Sequence, residues 1–422
     1  MKDWLSRPLR ALAQVDLGRQ RSPEHADGPH MVPYLRAANV VDGELDLSDV
    51  KEMNFTPQEQ RFFSLRRGDI LVTEGSGSLR TVGASAVWWN ELPGTVCFQN
   101  TLLRIRPRSC NTDPRFLEWW CRFAYADGLF ASIGAGANIF HLSAERVRAL
   151  PVRCPQRPEQ NIIADFLEAE TTRIDALIAK KKELVRVLES RFAILVRQTL
   201  LGDRKVRDPL DIRSDDGIDP GRVPVRLAWR FRFGSGTTPQ SDNTQYYGDR
   251  GIPWMVTGDL RDGYVDSVRR CVTSEALSKY PALAVHPAGS IVVAMYGATI
   301  GRLARMRIAA TVNQACCVIS PMGEDLPEFI FYWLLGFKSE LIERGRGAGQ
   351  PNISQELLRS IRVALPPLGE QHEIVHKLDR QRSKMQDLTR VLEKQISLLG
   401  EHRQALITAA VTGEMDVPGV PT

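Results

Sequence analysis

The stretch Glu159–Gly202, EQNIIADFLEAETTRIDALIAKKKELVRVLESRFAILVRQTLLG, occurs a second time in altered form as Glu370–Gly413, EQHEIVHKLDRQRSKMQDLTRVLEKQISLLGEHRQALITAAVTG. The two copies are 211 residues apart, so that each Glu-Gln pair and each final glycine align. Prolines precede both stretches and a glycine ends each, which are start and stop signals of helices. Each stretch is therefore predicted to form one helix of about 44 residues, about 66 Å long.

Apolar residues recur along both helices at the three- and four-residue spacing of a coiled coil. The seam predicted for the first helix consists of Leu167, Ile174, Leu177, Leu184, Leu188 and Leu195, and that for the second of Leu378, Met385, Leu388, Leu392, Leu399 and Leu406. A helix of this length exceeds the width of a small domain, which disfavours burial on its own domain alone. We expect the two helices to pair as an antiparallel coiled coil.

The repeat continues into the segments that precede the helices. VPYLRAANV (32–40) pairs with IPWMVTGDL (252–260), and RGDILVTEGSGSLRTVG (67–83) with AGSIVVAMYGATIGRLA (288–304), where a β-branched run enters a glycine-rich loop. QNTLLRIRP matches NQACCVISP, PRFLEWW matches PEFIFYW, and IGAGAN resembles RGAGQPN. Strand and helix signals thus recur in one order, which predicts two similar domains of mixed α/β (α+β) fold, related by an internal pseudo-two-fold repeat.

The composition excludes several classes of protein. The chain has 422 residues, of which 43% are hydrophobic and 25% charged, and no apolar run approaches the roughly 20 residues that span a bilayer. The segment MKDWLSRPLRALAQ lacks the apolar centre of a signal peptide, so we expect a cytoplasmic protein with no membrane partner. No two of the seven cysteines form a C-x-x-C pair, and reduced, packed thiols are expected.

The basic residues are mostly arginine, with 44 Arg against 11 Lys, although the formal net charge is only +5. A guanidinium grips a phosphate or a guanine edge through two hydrogen bonds, whereas an ammonium acts as a point charge. A GC-rich genome explains the same ratio about equally well. The arginine excess is therefore weak support for nucleic-acid binding.

One catalytic motif needs to be considered, because HEIVH at His372–His376 fits the H-E-x-x-H pattern of zinc peptidases. The matching residues of the first copy are NIIAD, so the common fold does not require these side chains. The one histidine further along, His402, lies on the same predicted helix and cannot fold back as a third ligand. Solvated helix residues are the favoured interpretation, and no metal site is expected.

Other catalytic signatures are absent from the sequence, including a G-x-G-x-x-G turn and a G-x-x-x-x-G-K phosphate loop. LPPLG at Leu365–Gly369 has the Pro-Pro pair of the amino-methyltransferase motif, but Leu365 stands where an Asn or Asp must bind the target amino group. No catalytic residue is therefore predicted. Polar and basic groups on predicted turns are the candidate contacts to DNA bases or phosphates: Arg36, Asn39, Arg80, Asn138, Arg302 and Asn352.

Together, these features resemble the specificity subunit of Type I restriction-modification systems, often called HsdS. The resemblance covers nearly the whole chain and is clearest in RSPEHADGPHMVPYLRAANV, in FGSGTTP with GIPWMVTGDL, and in LPPLGEQHEIVHKLD. PVRCPQRPEQNIIADFLE is a looser copy that lacks the Pro-Pro pair. The resemblance implies a binding protein that is not itself an enzyme.

The resemblance also implies how the chain is divided into domains and which partner subunits it has. Residues 1–157 and 221–369 would be the N-terminal and C-terminal target-recognition domains, 158–202 and 370–415 the spacer helices, and 203–220 a linker. Each domain would read one half of a split target in double-stranded DNA. Two methyltransferase subunits would bind S-adenosylmethionine and modify the target, this chain would bind no cofactor, and restriction or translocase subunits could join. The alternatives are a coiled-coil protein-interaction scaffold and a zinc metallopeptidase.

Overall fold

The structure is a computed structural model, and it describes residues 4–76, 82–108, 111–134, 140–202, 204, 206–345 and 351–421. The chain divides into two compact units. The first unit comprises Met1–Lys182 and Glu393–Thr422, and the second comprises Glu183–Leu392. Among the described helices, none combines the length and the apolar character needed to cross a membrane.

The first unit contains thirteen strands and five short helices in its described part, followed by the beginning of a long helix. The strands are β1 Leu5–Pro8, β2 Ala13–Leu17, β3 Met31–Leu35, β4 Val40–Val41, β5 Glu44–Leu45, β6 Lys51–Asn54, β7 Asp69–Thr73, β8 Gly75–Ser76, β9 Ser85–Trp88, β10 Cys97–Phe98, β11 Leu102–Pro107, β12 Phe140–His141 and β13 Pro151–Cys154. The helices are α1 Leu9–Leu12, α2 Pro57–Phe63, α3 Pro114–Ala126, α4 Leu129–Ile133 and α5 Ala144–Ala149, with 3₁₀ turns at Pro23–His25 and Ala37–Asn39.

The central sheet of this unit has the antiparallel order β2-β11-β7-β9. All five residues of β7 are buried, because both faces of the sheet are covered. Ile70 and Val72 pack on one face with Leu117 of α3, and Leu71 between them packs on the other face with Phe98. A second sheet, β10-β3-β6, contains a parallel pair, β3 with β10.

Glu118 of α3 is a buried acid in this unit, with only 14% of its side chain exposed. Burial raises its pKa from 4.5 to about 7, while Arg122, 3.9 Å away, opposes the shift and Asp42 adds to it. A carboxyl group that is harder to ionise in the folded chain stabilises the fold while it stays protonated. That stabilisation is full below pH 4.5 and is lost as the pH rises through about 7.

We therefore expect the free energy of unfolding of wild-type protein to fall by about 2–3 kcal/mol between pH 4.5 and pH 8 through this group. Glu118→Gln should remove that part of the pH dependence. Urea unfolding at both pH values would measure the difference, with the exposed Glu145→Gln in the same unit as control. An unchanged pH dependence in Glu118→Gln would contradict the assignment.

The second unit has a similar series of elements in its described part. Its strands are β14 Val223–Arg226, β15 Phe231–Ser235, β16 Tyr247–Gly248, β17 Ile252–Met255, β18 Gly263–Val265, β19 Cys271–Val272, β20 Ile291–Ala294, β21 Leu303–Met306, β22 Thr311–Val312, β23 Cys316–Pro321 and β24 Arg362–Leu365. Its short helices are α7 Ser274–Lys279, α8 Pro327–Gly336, α9 Lys338–Arg344 and α10 Gln355–Ser360, with 3₁₀ turns at Leu227–Trp229, Thr244–Tyr246 and Thr257–Asp259.

The two units share one topology. The sheet order β15-β23-β20-β21-β18 corresponds to β2-β11-β7-β9 with one added edge strand, β18. The parallel pair β17 with β22 corresponds to β3 with β10, and the antiparallel pair β14 with β24 to β1 with β13. The prediction of two similar mixed α/β domains in one chain is confirmed.

The long helices are α6, Arg157–Leu201, and α11, Leu368–Thr412, each of 45 residues. Their first and last residues are both 211 apart, as the repeat predicted. Gly202 and Gly413 follow the two ends with φ values of 64° and 75°, the left-handed conformation in which glycine commonly stops a helix. Gly400 lies inside α11 and does not interrupt it.

Each unit packs the start of one long helix beside the end of the other. In the first unit, Ile163 and Leu167 of α6 share a core cluster with Ile407 and Val411 of α11 and with Phe116 of α3. The helices run antiparallel there, since Asp175 pairs with Arg403 at 3.0 Å and Lys181 donates to Gln395 at 2.7 Å. In the second unit, the equivalent residues 211 positions away form one cluster: Val196, Leu200, Ile374 and Leu378.

The predicted seam needs a correction at Leu177, Leu184 and Leu388, which are 43%, 46% and 54% exposed. The residues with restricted exposure follow a strict four-three alternation from Leu167 through Thr171, Ile174 and Ile178 to Lys181. Polar side chains therefore occupy seam positions: the Thr171 hydroxyl donates to the Leu167 carbonyl at 2.7 Å. A seam assigned from the leucine spacing alone omits the positions that polar residues occupy. It therefore includes Leu177, Leu184 and Leu388, which are out of phase with the observed contact.

Of the other predicted seam residues, Leu167, Ile174 and Leu378 are buried. The remaining ones are partly exposed, and these are Leu188, Leu195, Met385, Leu392, Leu399 and Leu406. All of them are in phase with the observed four-three alternation.

A buried glutamine ties each long helix to its own domain. Gln160 accepts a hydrogen bond from the Asp113 backbone N–H at 2.8 Å and donates to the Pro155 carbonyl at 2.9 Å. Gln371 accepts from the Leu326 N–H at 3.0 Å and donates to the Pro366 carbonyl at 2.9 Å. Both side chains are essentially inaccessible to solvent. The Glu-Gln pair of the repeat therefore marks a structural junction.

Candidate nucleic-acid interface

The end of β7 carries a polar pair in the first unit, of which the histidine is the exposed member. His141 of β12 faces Gly75 across an antiparallel bridge, and its Nδ1 lies 3.1 Å from the Glu74 carboxylate. The imidazole is 56% exposed and the carboxylate side chain 15%. Leu142 fixes the strand end by donating its N–H to the Glu74 carbonyl at 2.7 Å.

The end of β20 repeats this backbone arrangement with different side chains. Asn352 bridges Tyr296, and Ile353 donates its N–H to the Met295 carbonyl at 2.7 Å. Asn352 is exposed and Tyr296 is 37% exposed. The same backbone frame, an antiparallel bridge with an N–H to carbonyl bond beside it, thus presents His141 in the first unit. In the second unit it presents Asn352 with Tyr296. Such variation on a constant frame suits two domains that read different sequences.

This equivalence changes one part of the repeat alignment. Asn352 was matched to Asn138 through the shared Gly-Ala-Gly stretch, whereas the backbone pairing matches it to His141. The offset of 211 that holds from Ser143 and Ser354 onward also leads to His141, so the sequence did carry the signal. Arg80 and Asn138 lie outside the described residues.

Asn39 is a correction to the predicted contacts, because it is only 2% exposed. Its amide accepts from the Arg36 N–H at 3.0 Å and donates to the Asp46 carbonyl at 2.9 Å, so it stabilises a loop inside the domain. Asp259 makes the equivalent bond to the Val256 N–H at 2.9 Å in the second unit. The turn that ends VPYLRAANV and IPWMVTGDL therefore needs an Asn or Asp oxygen for its geometry.

Two arginines among the predicted contacts differ in exposure and in ion pairing. Arg36 is half-buried and pairs with Asp49 at 2.5 Å. Arg302 is exposed, directly after Gly301, whose φ of 75° closes the turn between β20 and β21. Arg302 can therefore reach a phosphate or base edge, while Arg36 would first have to leave its carboxylate.

A further basic surface of the second unit was missed in the sequence. Arg269 and Arg270 are exposed and line a cavity of about 500 Å³ together with Tyr247, Thr238 and one acid, Asp249. We call this surface the Arg269–Arg270 groove. Guanidinium and hydroxyl groups around a concave surface suit phosphate and sugar contacts. The adjacent arginine pair between two predicted strands was the available signal.

The side chains of the HEIVH motif, on which the zinc-peptidase alternative rests, do not line the Arg269–Arg270 groove. His372, Glu373 and His376 are all exposed in the first turns of α11. Across the described part of the chain, no group of three or more His, Cys, Asp or Glu side chains is placed to hold a metal ion. Burial raises the pKa of the Cys97, Cys316 and Cys317 thiols to about 12, so these cysteines are protonated at neutral pH.

Comparison with known proteins gives the same picture across the chain. Residues 231–398 match the family model for the Type I restriction modification DNA specificity domain. The EcoKI specificity subunit of Escherichia coli strain K12 is 23% identical over 434 residues, 98% of this chain and 89% of that one. The StySPI specificity subunit of Salmonella potsdam is 21% identical over 428 residues, with 98% and 89% covered. Against the Escherichia coli EcoR124I/EcoR124II subunit, the chain spans 60% of that subunit's length at 23% identity.

Solved structures share the fold over nearly the full length. A chain from a structure of the assembly and conformational transition of the type I R-M system superposes with a TM-score of 0.74 at 18% identity, covering 98% of both chains. The HsdS subunit from Thermoanaerobacter tengcongensis gives a TM-score of 0.52 at 20% identity, also covering 98% of both. Residues 231–398 therefore match the Type I restriction modification DNA specificity domain, and the chain as a whole is similar in sequence and fold to specificity subunits of Type I restriction-modification systems.

Proposed function

We propose that this chain reads a bipartite target in double-stranded DNA, with one half-sequence recognised by each unit. The observation that carries this proposal is the shared backbone frame that presents His141 with Glu74 in the first unit and Asn352 with Tyr296 in the second. Two units of one topology but different exposed groups can bind two different sequences in the same manner. Their helices, continuous over 45 residues each, would set the gap between the two half-sequences.

Methyl transfer in this proposal belongs to partner subunits. Two methyltransferase subunits would bind S-adenosylmethionine, take the target adenine out of the stack and modify it. Restriction or translocase subunits would join the complex that cuts DNA. The exposed apolar side chains of the long helices suit partner binding: Leu177 and Leu398 in the first unit, and Leu184, Leu388 and Val391 in the second.

The DNA-binding part is tested by substitution in the Arg269–Arg270 groove. The double variant Arg269→Gln/Arg270→Gln should bind target duplex about tenfold or more weakly, because each arginine would lose a phosphate contact. The slope of log K against log[salt] should become shallower by about 1.8 for the pair, and by about 0.9 for Arg302→Gln. Fluorescence anisotropy with the partner-bound protein would measure both quantities over a range of salt concentrations.

The control is Arg191→Gln, which removes an exposed arginine from α6. It should leave affinity and salt slope unchanged. If the groove variants bound DNA with wild-type affinity and a wild-type salt slope, the Arg269–Arg270 groove would not be part of the DNA interface. Failure of the wild-type protein to shift any duplex in a salt-dependent way would instead favour the protein-interaction scaffold.

A further inference from the structure

A pocket of about 380 Å³ lies in the second unit where β18 and β21 meet the first half of α11. Three arginines line it together with Tyr264 and Asp379: Arg305, Arg307 and Arg382. We call it the Arg305 pocket. The function proposed above uses none of these residues.

Arg305 is held rigidly in the wall of the pocket, with 4% of its side chain exposed. Its guanidinium stacks on Tyr264 at 3.8 Å and lies 4.8 Å from the Phe331 ring centre. Nη2 donates to Asp379 at 2.5 Å, and the Tyr332 hydroxyl donates to the same carboxylate oxygen. Its Nε and Nη1 are buried and meet no acceptor within the described part of the chain.

Arg382 and Arg307 complete the cationic wall. Arg382 is 6% exposed, lies 5.0 Å from the Phe331 ring centre, and has a buried Nη1 that meets no acceptor among the described residues. Burial lowers its pKa, but an arginine side chain stays charged at neutral pH. Arg307 stacks on the Tyr264 ring at 3.9 Å and pairs with exposed Asp266 at 3.1 Å.

The charges in the pocket wall are unbalanced. Arg307 has its own carboxylate partner in Asp266, but Arg305 and Arg382 share one lining carboxylate, Asp379, which Arg305 and Tyr332 already occupy. Aromatic rings attract the flat face of a guanidinium, but they do not accept its in-plane N–H groups. Buried donors without acceptors are costly, and buried charges are normally paired.

The common fold does not require these arginines. Arg305 pairs with Ile291 in the sheet, and the corresponding pair of the first unit is Val87 with Ile70. On the long helices, the residue 211 positions before Arg382 is Thr171. Within the described part of the chain, the first unit therefore has no arginine at the positions equivalent to Arg305 and Arg382.

We propose that the Arg305 pocket binds an oxyanion of the phosphate class. A tetrahedral dianion offers acceptors to several guanidinium groups at once, and arginine suits bidentate contact with such an anion. The volume admits either inorganic phosphate or the phosphate end of a small nucleotide. Its binding would satisfy the donors of Arg305 and Arg382 and would link β21 to α11.

The test is calorimetric titration of the purified full chain with inorganic phosphate at constant ionic strength. We expect one saturable site per chain with a Kd of about 1 mM or tighter. Arg307→Gln and Arg382→Gln should each weaken binding about tenfold or more. Arg380→Gln, an exposed arginine on the same helix, should bind as wild type does.

No saturable binding up to roughly 20 mM phosphate would overturn the proposal, and so would wild-type affinity in both pocket variants. If Arg382→Gln fails to fold, Arg307→Gln decides, because its side chain is 56% exposed and its loss leaves the core intact. A second titration with AMP separates the sources of the phosphate group. If AMP competes with phosphate in the wild-type chain and this competition is lost in Arg307→Gln, the site binds a nucleotide. If AMP does not compete with phosphate, the site binds the free anion.

Discussion

Removal of one heptad from each long helix should shorten the gap between the two recognised half-sequences by about three base pairs. Seven helical residues span about 10 Å, and the rise of B-DNA is about 3.4 Å per base pair. The deletion must be matched in both helices, because they run antiparallel with Asp175 opposite Arg403 and Lys181 opposite Gln395. Residues 185–191 and 386–392 follow that register, and their removal keeps the seam in phase.

The measurement is methylation mapping of DNA treated with each variant and its partner methyltransferase. The half-sequences should stay the same while the gap changes. An insertion of two or three residues in one helix should instead disturb the seam and damage folding or assembly. The chain without its partner should methylate no site. If a folded heptad variant modified sites with the original gap and no other, the spacer role of the helices would have to be abandoned.

Replacement of Gln160 or Gln371 by leucine should lower the free energy of unfolding by about 3–5 kcal/mol. Leucine has a similar volume but leaves a buried backbone N–H without an acceptor, that of Asp113 or Leu326 respectively. It also leaves a proline carbonyl, that of Pro155 or Pro366, without its donor. Each unsatisfied buried group costs about 1–3 kcal/mol.

Urea unfolding monitored by circular dichroism would measure this loss. Gln198→Leu is the control, since it makes the same chemical change at an exposed position of α6. It should alter the free energy of unfolding by about 0.5 kcal/mol or less. A loss below about 1 kcal/mol in both Gln160→Leu and Gln371→Leu would mean that these hydrogen bonds do not hold the helices to their domains.

The repeat alone determined the architecture of this chain. An offset of 211 residues located the starts and ends of both long helices, and matched strand signals predicted two domains of one topology. These features depend on local patterns, such as apolar periodicity and glycine after a helix, which a sequence displays directly. The Glu-Gln pair was also found in this way, although its structural role was not.

Tertiary structure decided which side chains are available for function. Asn39 stands on a turn, as predicted, but neighbouring backbone groups use its amide and bury it. Leu177 has the spacing of a seam residue, but the helices meet along the alternation that contains Thr171 and Ile178 instead. Arg305 and Arg382 are 77 residues apart in sequence and converge only because β21 packs against α11. Burial and convergence depend on contacts between residues distant in sequence, so no local pattern can show them.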